Sequence, residues 1–232
     1  MSRFRFFNFD LEPDVSRRRL PHWQQPEVCY FITFRTSDSL PAEIAKTFRE
    51  KRLLWLQCKG AIPSPQSQTP PHEKNPPANF WRDALQSLSP QEQQDFKREF
   101  SEEFHQLLDA GHGECLLRRH DLRAVLDDTL LHFDGDRYLL GDYVIMPNHV
   151  HALVQLAPKI TLKDLGLSWK RFSARQINST TGKHGPLWQG ESYDRIVRDA
   201  AEFAHYQQYI ADNPTKARLQ PGEYSLYKSK WT

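Results

Sequence analysis

Two histidines one residue apart, and a tyrosine followed four residues on by an asparagine, are the side chains best suited to chemistry. His149-Val150-His151 sits in an apolar stretch. In a strand, residues two apart point to the same face with Cα atoms about 6.6 Å apart. Two imidazoles can then converge on a single metal ion while Val150 turns into a core. The same spacing also suits two half-buried histidines bonded to water or backbone, and Asn148 before them suits a turn. Tyr209 and Asn213 lie near the end of a helical stretch and share one of its faces, about 6 Å apart along the axis. A tyrosine hydroxyl attacks phosphorus once its proton is removed or its charge is masked by a cation. An amide oxygen is a hard ligand suited to magnesium or manganese. Tyr206 competes for the same role, and His205 is a candidate proton acceptor. Helical tyrosines also commonly serve a core or an interface.

These residues need elements to hold them. Residues 28–35 alternate Tyr30, Ile32 and Phe34 with Cys29, Phe31 and Thr33, the pattern of a strand. A helix is expected over 41–57, with Ile44, Phe48, Leu53 and Leu56 roughly on one face. Six prolines between residues 60 and 79 exclude a helix or a central strand there and predict a linker or large loop. Ser89 with Glu92 three residues on forms a capping-box signature for a helix reaching Asp109. A further helix is expected at 120–132. Residues 137–156 then read as two consecutive strands, or one bent pair broken near Gly141 or Pro147. A helix over 161–178, a short extended piece before residue 199, and a last helix over 199–212, stopping before Asn213-Pro214, complete the pattern. The order strand, helix, strand, strand, helix, strand is that of a ferredoxin-like α+β fold, an antiparallel sheet with helices packed on it.

Composition narrows the setting. The 232 residues fit one elaborated domain or two small ones. Mean hydropathy is −0.71, and no apolar run approaches the ~20 residues of a membrane helix, so no membrane partner is expected. The N-terminal residues are charged and lack the apolar run of a signal peptide. Cys29, Cys58 and Cys115 are odd in number and widely spaced, which argues for a reducing cytoplasm rather than a disulfide scaffold. Residues 159–232 hold 12 Lys/Arg against 7 Asp/Glu, whereas residues 1–158 hold 19 against 22. A basic C-terminal third suits a polyanionic partner.

The segments Tyr143-Val144-Ile145-Met146-Pro147-Asn148-His149-Val150-His151 and Tyr209-Ile210-Ala211-Asp212-Asn213-Pro214-Thr215-Lys216-Ala217 together resemble the REP-associated tyrosine transposases. These are relatives of the single-tyrosine HUH transposases of small insertion sequences. Tyr30 to Arg35, His132 to Gly135, Gly185 to Gln189 and Tyr193 to Arg195 resemble the family in the same order, so the likeness covers roughly residues 28–219. It implies a ferredoxin-like HUH domain with His149, His151 and Asn213 as metal ligands and Tyr209, rather than Tyr206, as nucleophile. It also implies cleavage and rejoining of single-stranded DNA near REP-type hairpins. Residues 1–27 are then an N-terminal arm, residues 58–115 an insertion, partly helical and partly Pro-rich, and residues 220–232 a C-terminal tail. Within that tail, Glu223-Tyr224-Ser225 stands where many relatives carry a Trp-Ser-Ser-like element.

The expected chemistry is a Mg²⁺- or Mn²⁺-assisted attack of Tyr209 on a scissile phosphate, giving a 5′-phosphotyrosine and a free 3′-OH. Lys170, Arg171 and Arg175 on one helix are candidate phosphate contacts. Trp188, Tyr193, Arg195 and Arg198, just before the catalytic helix, are candidates to line the DNA strand. The expected location is cytoplasmic, associated with the nucleoid. Assembly of the site within one chain, or across a homodimer, is left open. Three other readings compete: a hairpin-binding protein that does not cut, a zinc hydrolase, and a relaxase or replication initiator with the same chemistry. Ala152, Leu153 and Val154 after the histidines offer a zinc hydrolase no further ligand, and no helicase-like region favours an initiator.

Overall fold

Alternation along the central strands decides what each face of the sheet must meet. The computed structural model describes residues 4–11, 13–17, 21–63 and 80–231. In chain order its elements are β1 (Asp14–Arg17), β2 (Pro21–Gln24), β3 (Cys29–Arg35), α1 (Ala42–Cys58), α2 (Phe80–Gln86), α3 (Pro90–Asp109), α4 (His120–Leu131), β4 (Tyr138–Met146), β5 (His149–Leu156), α5 (Leu162–Thr181), β6 (Tyr193–Ile196), α6 (Ala200–Lys216) and β7 (Ser225–Tyr227). The chain divides into two units, one of Met1–Ser39 with Gly113–Thr232 and one of Leu40–His112.

The first unit carries a five-stranded sheet in the order β6-β3-β5-β4-β7, with every pair antiparallel. Taking β3, β4, β5 and β6 as the four core strands, this is the ferredoxin-like order, and β7 extends it at one edge. Tyr30, Ile32 and Phe34 of β3 and Val150, Ala152, Val154 and Leu156 of β5 face one side. There they pack with Leu122, Leu126 and Leu130 of α4 and Leu162, Leu165, Trp169 and Ile177 of α5. Cys29, Phe31, Val144, Met146 and Leu153 face the other side and pack with Phe203 and Ile210 of α6. Both faces are therefore covered, which explains the nearly continuous apolar character of β3 and β5. The histidines occupy the remaining positions of β5 on the α6 side.

β4 and β5 form a hairpin that turns at Pro147-Asn148, and their register shifts between Leu140 and Tyr143. Gly141 sits at that shift. A Cβ there would lie 2.6 Å from the Leu153 Cβ, closer than the strands tolerate. Two anchors fix α5: Trp169 Nε1 donates to the Tyr138 hydroxyl at 3.1 Å, and that hydroxyl donates to the Leu130 carbonyl at 2.7 Å.

Some expectations need correction. α6 does not stop before Asn213-Pro214 but runs to Lys216. Pro214 falls in the last turn, where its missing N–H costs one bond. The Asn213 and Pro214 carbonyls there accept from Ala217 N at 3.0 Å and Leu219 N at 2.9 Å. The second unit begins at Leu40, so α1 belongs to it rather than to the sheet. Phe48 and Leu56 of α1 cluster with Ala84, Leu88, Phe96 and Phe100. The Arg52 guanidinium lies 4.3 Å from the Trp81 ring centroid. α3 opens with the capping box of Ser89 and Glu92.

Within residues 1–27, β1 and β2 pair as a hairpin. Arg5 O accepts from Cys29 N at 2.7 Å, and Phe7 N donates to Val197 O at 2.9 Å, which lays this segment against the sheet. Residues 1–3, 12 and 18–20 of the expected arm, and 64–79 of the Pro-rich stretch, lie outside the described residues. In the expected tail, Trp231 Nε1 donates to Asp134 Oδ1 at 2.8 Å. Among the described residues no helix is long and apolar enough to cross a membrane.

Candidate active site

The hairpin register brings both histidines to the face covered by α6. Their ring centroids are 4.6 Å apart, and both side chains are buried. His149 Nδ1 lies 2.7 Å from Asn148 Oδ1, and His151 Nδ1 lies 2.7 Å from Thr33 Oγ1. The Nε2 atoms, on the other edge of each ring, are buried as well. Burial first, then the Arg35 guanidinium, then His151, hold the His149 pKa well below the ordinary imidazole range. A neutral imidazole is the form that ligates a metal.

α6 supplies the other two groups. Asp199 caps its start by accepting from Glu202 N at 2.8 Å. Phe203, Ile210, Asn213 and Pro214 form its buried face. The Tyr209 ring lies 5.2 Å from the His151 ring, edge to face, and 5.8 Å from that of Phe31. One turn on, Asn213 is 2% exposed, and its Oδ1 is buried with no hydrogen-bond partner among the described residues. A buried amide oxygen left this way costs free energy. Tyr206 is placed differently. It stacks flat on Phe31 at 4.2 Å, and burial pushes its pKa up to about 12. Lys216 Nζ stands 5.6 Å from the Tyr209 ring centroid. His205 is exposed.

Two imidazoles and an amide oxygen, all buried, form a mixed nitrogen and oxygen donor set whose chemistry suits a divalent cation. Among the described residues, no group of three or more His, Cys, Asp or Glu side chains is placed to hold a metal.

The candidate DNA contacts scatter. Arg171 and Arg175 are exposed on α5, and Tyr193 and Arg198 are exposed beside α6. Arg195 is also exposed and is paired with Glu202 at 3.0 Å. Two candidates turn inward instead. Trp188 is buried, edge-on to Phe34 at 4.9 Å, with Nε1 donating to Ser173 Oγ at 3.0 Å. Lys170 Nζ donates to the carbonyls of Gln189 at 2.9 Å and Glu191 at 3.2 Å, and burial brings its pKa down to about 8. Both hold the loop between α5 and β6 rather than offering themselves to a strand. An open concavity of about 390 Å³ at the end of α5 is lined by Arg175, Asn178, Ser179, Lys183 and His184.

Sequence reasoning missed Thr33 and Lys216. Lys216 is signalled by its i+7 spacing from Tyr209, which returns it to the same helical face. Thr33 gives no signal until the β3–β5 register is known.

Comparison with known proteins bears on the same stretch. Residues 121–213 match the family described as "Transposase IS200 like". An uncharacterized protein of Haemophilus influenzae is 28% identical over 97 residues, 32% of this chain and 53% of that protein. The chain thus spans about half the length of that curated relative. A solved structure of a REP-associated tyrosine transposase bound to a REP hairpin aligns over 84% of this chain and 71% of its own, at 14% identity and a TM-score of 0.37. The segment from α4 through Asn213, which holds both histidines and Tyr209, relates this chain to the IS200-like transposases.

Proposed function

We propose that the chain is a metal-dependent endonuclease and strand transferase for single-stranded DNA, acting at REP-type hairpins through a 5′-phosphotyrosine. The observation that carries this reading is the buried Oδ1 of Asn213, without a hydrogen-bond partner among the described residues and one turn from a tyrosine whose ring abuts His151. His149, His151 and Asn213 would hold Mg²⁺ or Mn²⁺. When bound, the ion supplies Lewis-acid polarisation of a non-bridging phosphate oxygen.

The chain's own residues do the rest. Tyr209 Oη gives up its proton to solvent and attacks phosphorus in line. The P–O(Tyr) bond forms as the P–O3′ bond breaks, and the departing 3′ oxygen takes up a proton. The ester link conserves the bond energy, so a 3′-OH can attack it later and rejoin strands without ATP. A phenolate, with its parent pKa near 10, leaves far more readily than a serine alkoxide. Tyr206, stacked flat on Phe31 and with its ionisation suppressed by burial, is the poorer nucleophile. Exposed Arg171, Arg175, Tyr193 and Arg198 are the favoured strand contacts, and a nucleoid-associated location follows from the substrate.

The test is incubation of the purified protein with labelled single-stranded hairpin DNA and Mg²⁺ or Mn²⁺, followed by denaturing electrophoresis. A covalent protein–DNA adduct is expected, absent with EDTA, absent in Tyr209→Phe and retained in Tyr206→Phe. Hairpin binding without any adduct in the wild-type protein would favour a non-cutting binder. An adduct that survives Tyr209→Phe would remove Tyr209 from its role.

A further inference from the structure

We propose that Thr33 is a positioning residue for the metal-facing edge of His151, an inference that rests on the metal-dependent reading above. Thr33 lies on β3, outside the segment matched to the transposase family. It is the cross-strand partner of His151, and its Oγ1 lies 2.7 Å from His151 Nδ1 with both residues buried.

Position 33 points toward the face lined by Cys29, Phe31, Val144, Met146 and Leu153 together with the two buried histidines. Valine would fill that place with equal shape and equal preference for a strand, so the hydroxyl is what distinguishes threonine here. A hydroxyl buried in apolar surroundings is costly unless it is bonded, and the imidazole nitrogen is its bonding partner. An Nδ1–H donating to Thr33 Oγ1 leaves the lone pair on Nε2 and fixes the ring rotation. His149 is held in the same sense by Asn148, whose Oδ1 accepts from Nδ1 at 2.7 Å. The two rings thus have equivalent supports of different origin. One comes from the residue next in the chain, the other from the next strand. Outer partners of this kind typically govern metal affinity by 10–100-fold.

The experiment is calorimetric titration of the full-length protein with Mn²⁺ alone, comparing wild type, Thr33→Val and Thr33→Ser. Thr33→Val should weaken Mn²⁺ binding about 10–100-fold, and Thr33→Ser, which keeps the hydroxyl, should restore most of it. Melting in EDTA shows whether each variant is folded. Equal Mn²⁺ affinity in wild type and Thr33→Val overturns the inference while leaving the metal reading in place. Absence of Mn²⁺ binding in the wild type overturns both. Nitrogen-15 spectra of the metal-free wild type provide a readout that needs no variant. A His151 proton on Nδ1 supports the role, and a proton on Nε2 refutes it.

Discussion

Replacing Asn213 by leucine should make the metal-free protein more stable and destroy its function. The side chain is 2% exposed, and Oδ1 is buried with no hydrogen-bond partner among the described residues. Burying a polar group in that state costs about 1–3 kcal/mol. Leucine has similar volume and would extend the apolar face formed by Phe203 and Ile210. It is also the better helix former by a few tenths of a kcal/mol, with the same sign. The backbone bond from Ala217 N to the residue-213 carbonyl is untouched. The expected gain is therefore about 1–3 kcal/mol, or roughly 2–12 °C in Tm for a chain of this size.

Thermal melts in EDTA and in saturating Mn²⁺ check this. At 100 times its Kd, Mn²⁺ should stabilise the wild type by about 2.7 kcal/mol and should leave Asn213→Leu unchanged. The order of stability would then narrow or reverse between the two conditions. An Asn213→Leu protein less stable than wild type in EDTA would refute the idea that the oxygen is held at a cost. Undiminished stabilisation of the variant by Mn²⁺ would refute its role as a ligand.

Two other outcomes follow from contacts already described. Arg171→Ala and Arg175→Ala should each reduce the salt dependence of hairpin binding by about one phosphate contact. Lys170→Met should leave that slope unchanged and instead increase protease cutting around residues 189–191, whose carbonyls its Nζ binds; filter binding across a salt series and limited proteolysis separate the two cases. Gly141→Ala should destabilise the protein by about 1–3 kcal/mol in urea melts, because the new methyl would meet the Leu153 Cβ at 2.6 Å. Wild-type stability in that variant would mean that the shift between Leu140 and Tyr143 opens at no cost.

What the sequence could express depended on range. Period-two alternation in β3 and β5 and the apolar faces of α4 and α5 are local, so the four core strands and their helices were legible, whereas β7 fell within the expected tail. The His149–His151 pair was legible for the same reason, since only strand geometry is needed to place two rings on one face. The fate of α1 was not. Its apolar spacing resembles that of α4, and only the partners decide that Phe48 and Leu56 meet Phe96 and Phe100 while Leu122 and Leu126 meet the sheet. The placement of Lys170 and Trp188 was not legible either. A cation and an aromatic beside other basic residues look like a strand-binding surface. Yet the closed loop between α5 and β6 needs donors for its carbonyls and a ring against Phe34, and it takes both side chains. Pro214 marks the opposite limit. As a local signal it ends a helix, but in the last turn it costs a single bond, while the turn it permits carries Asn213 into the buried face. A residue that reaches the site across a partner strand thus becomes visible only once pairing is known, and Thr33 is of that kind, whereas Asn213 was already marked by its i+4 spacing from Tyr209.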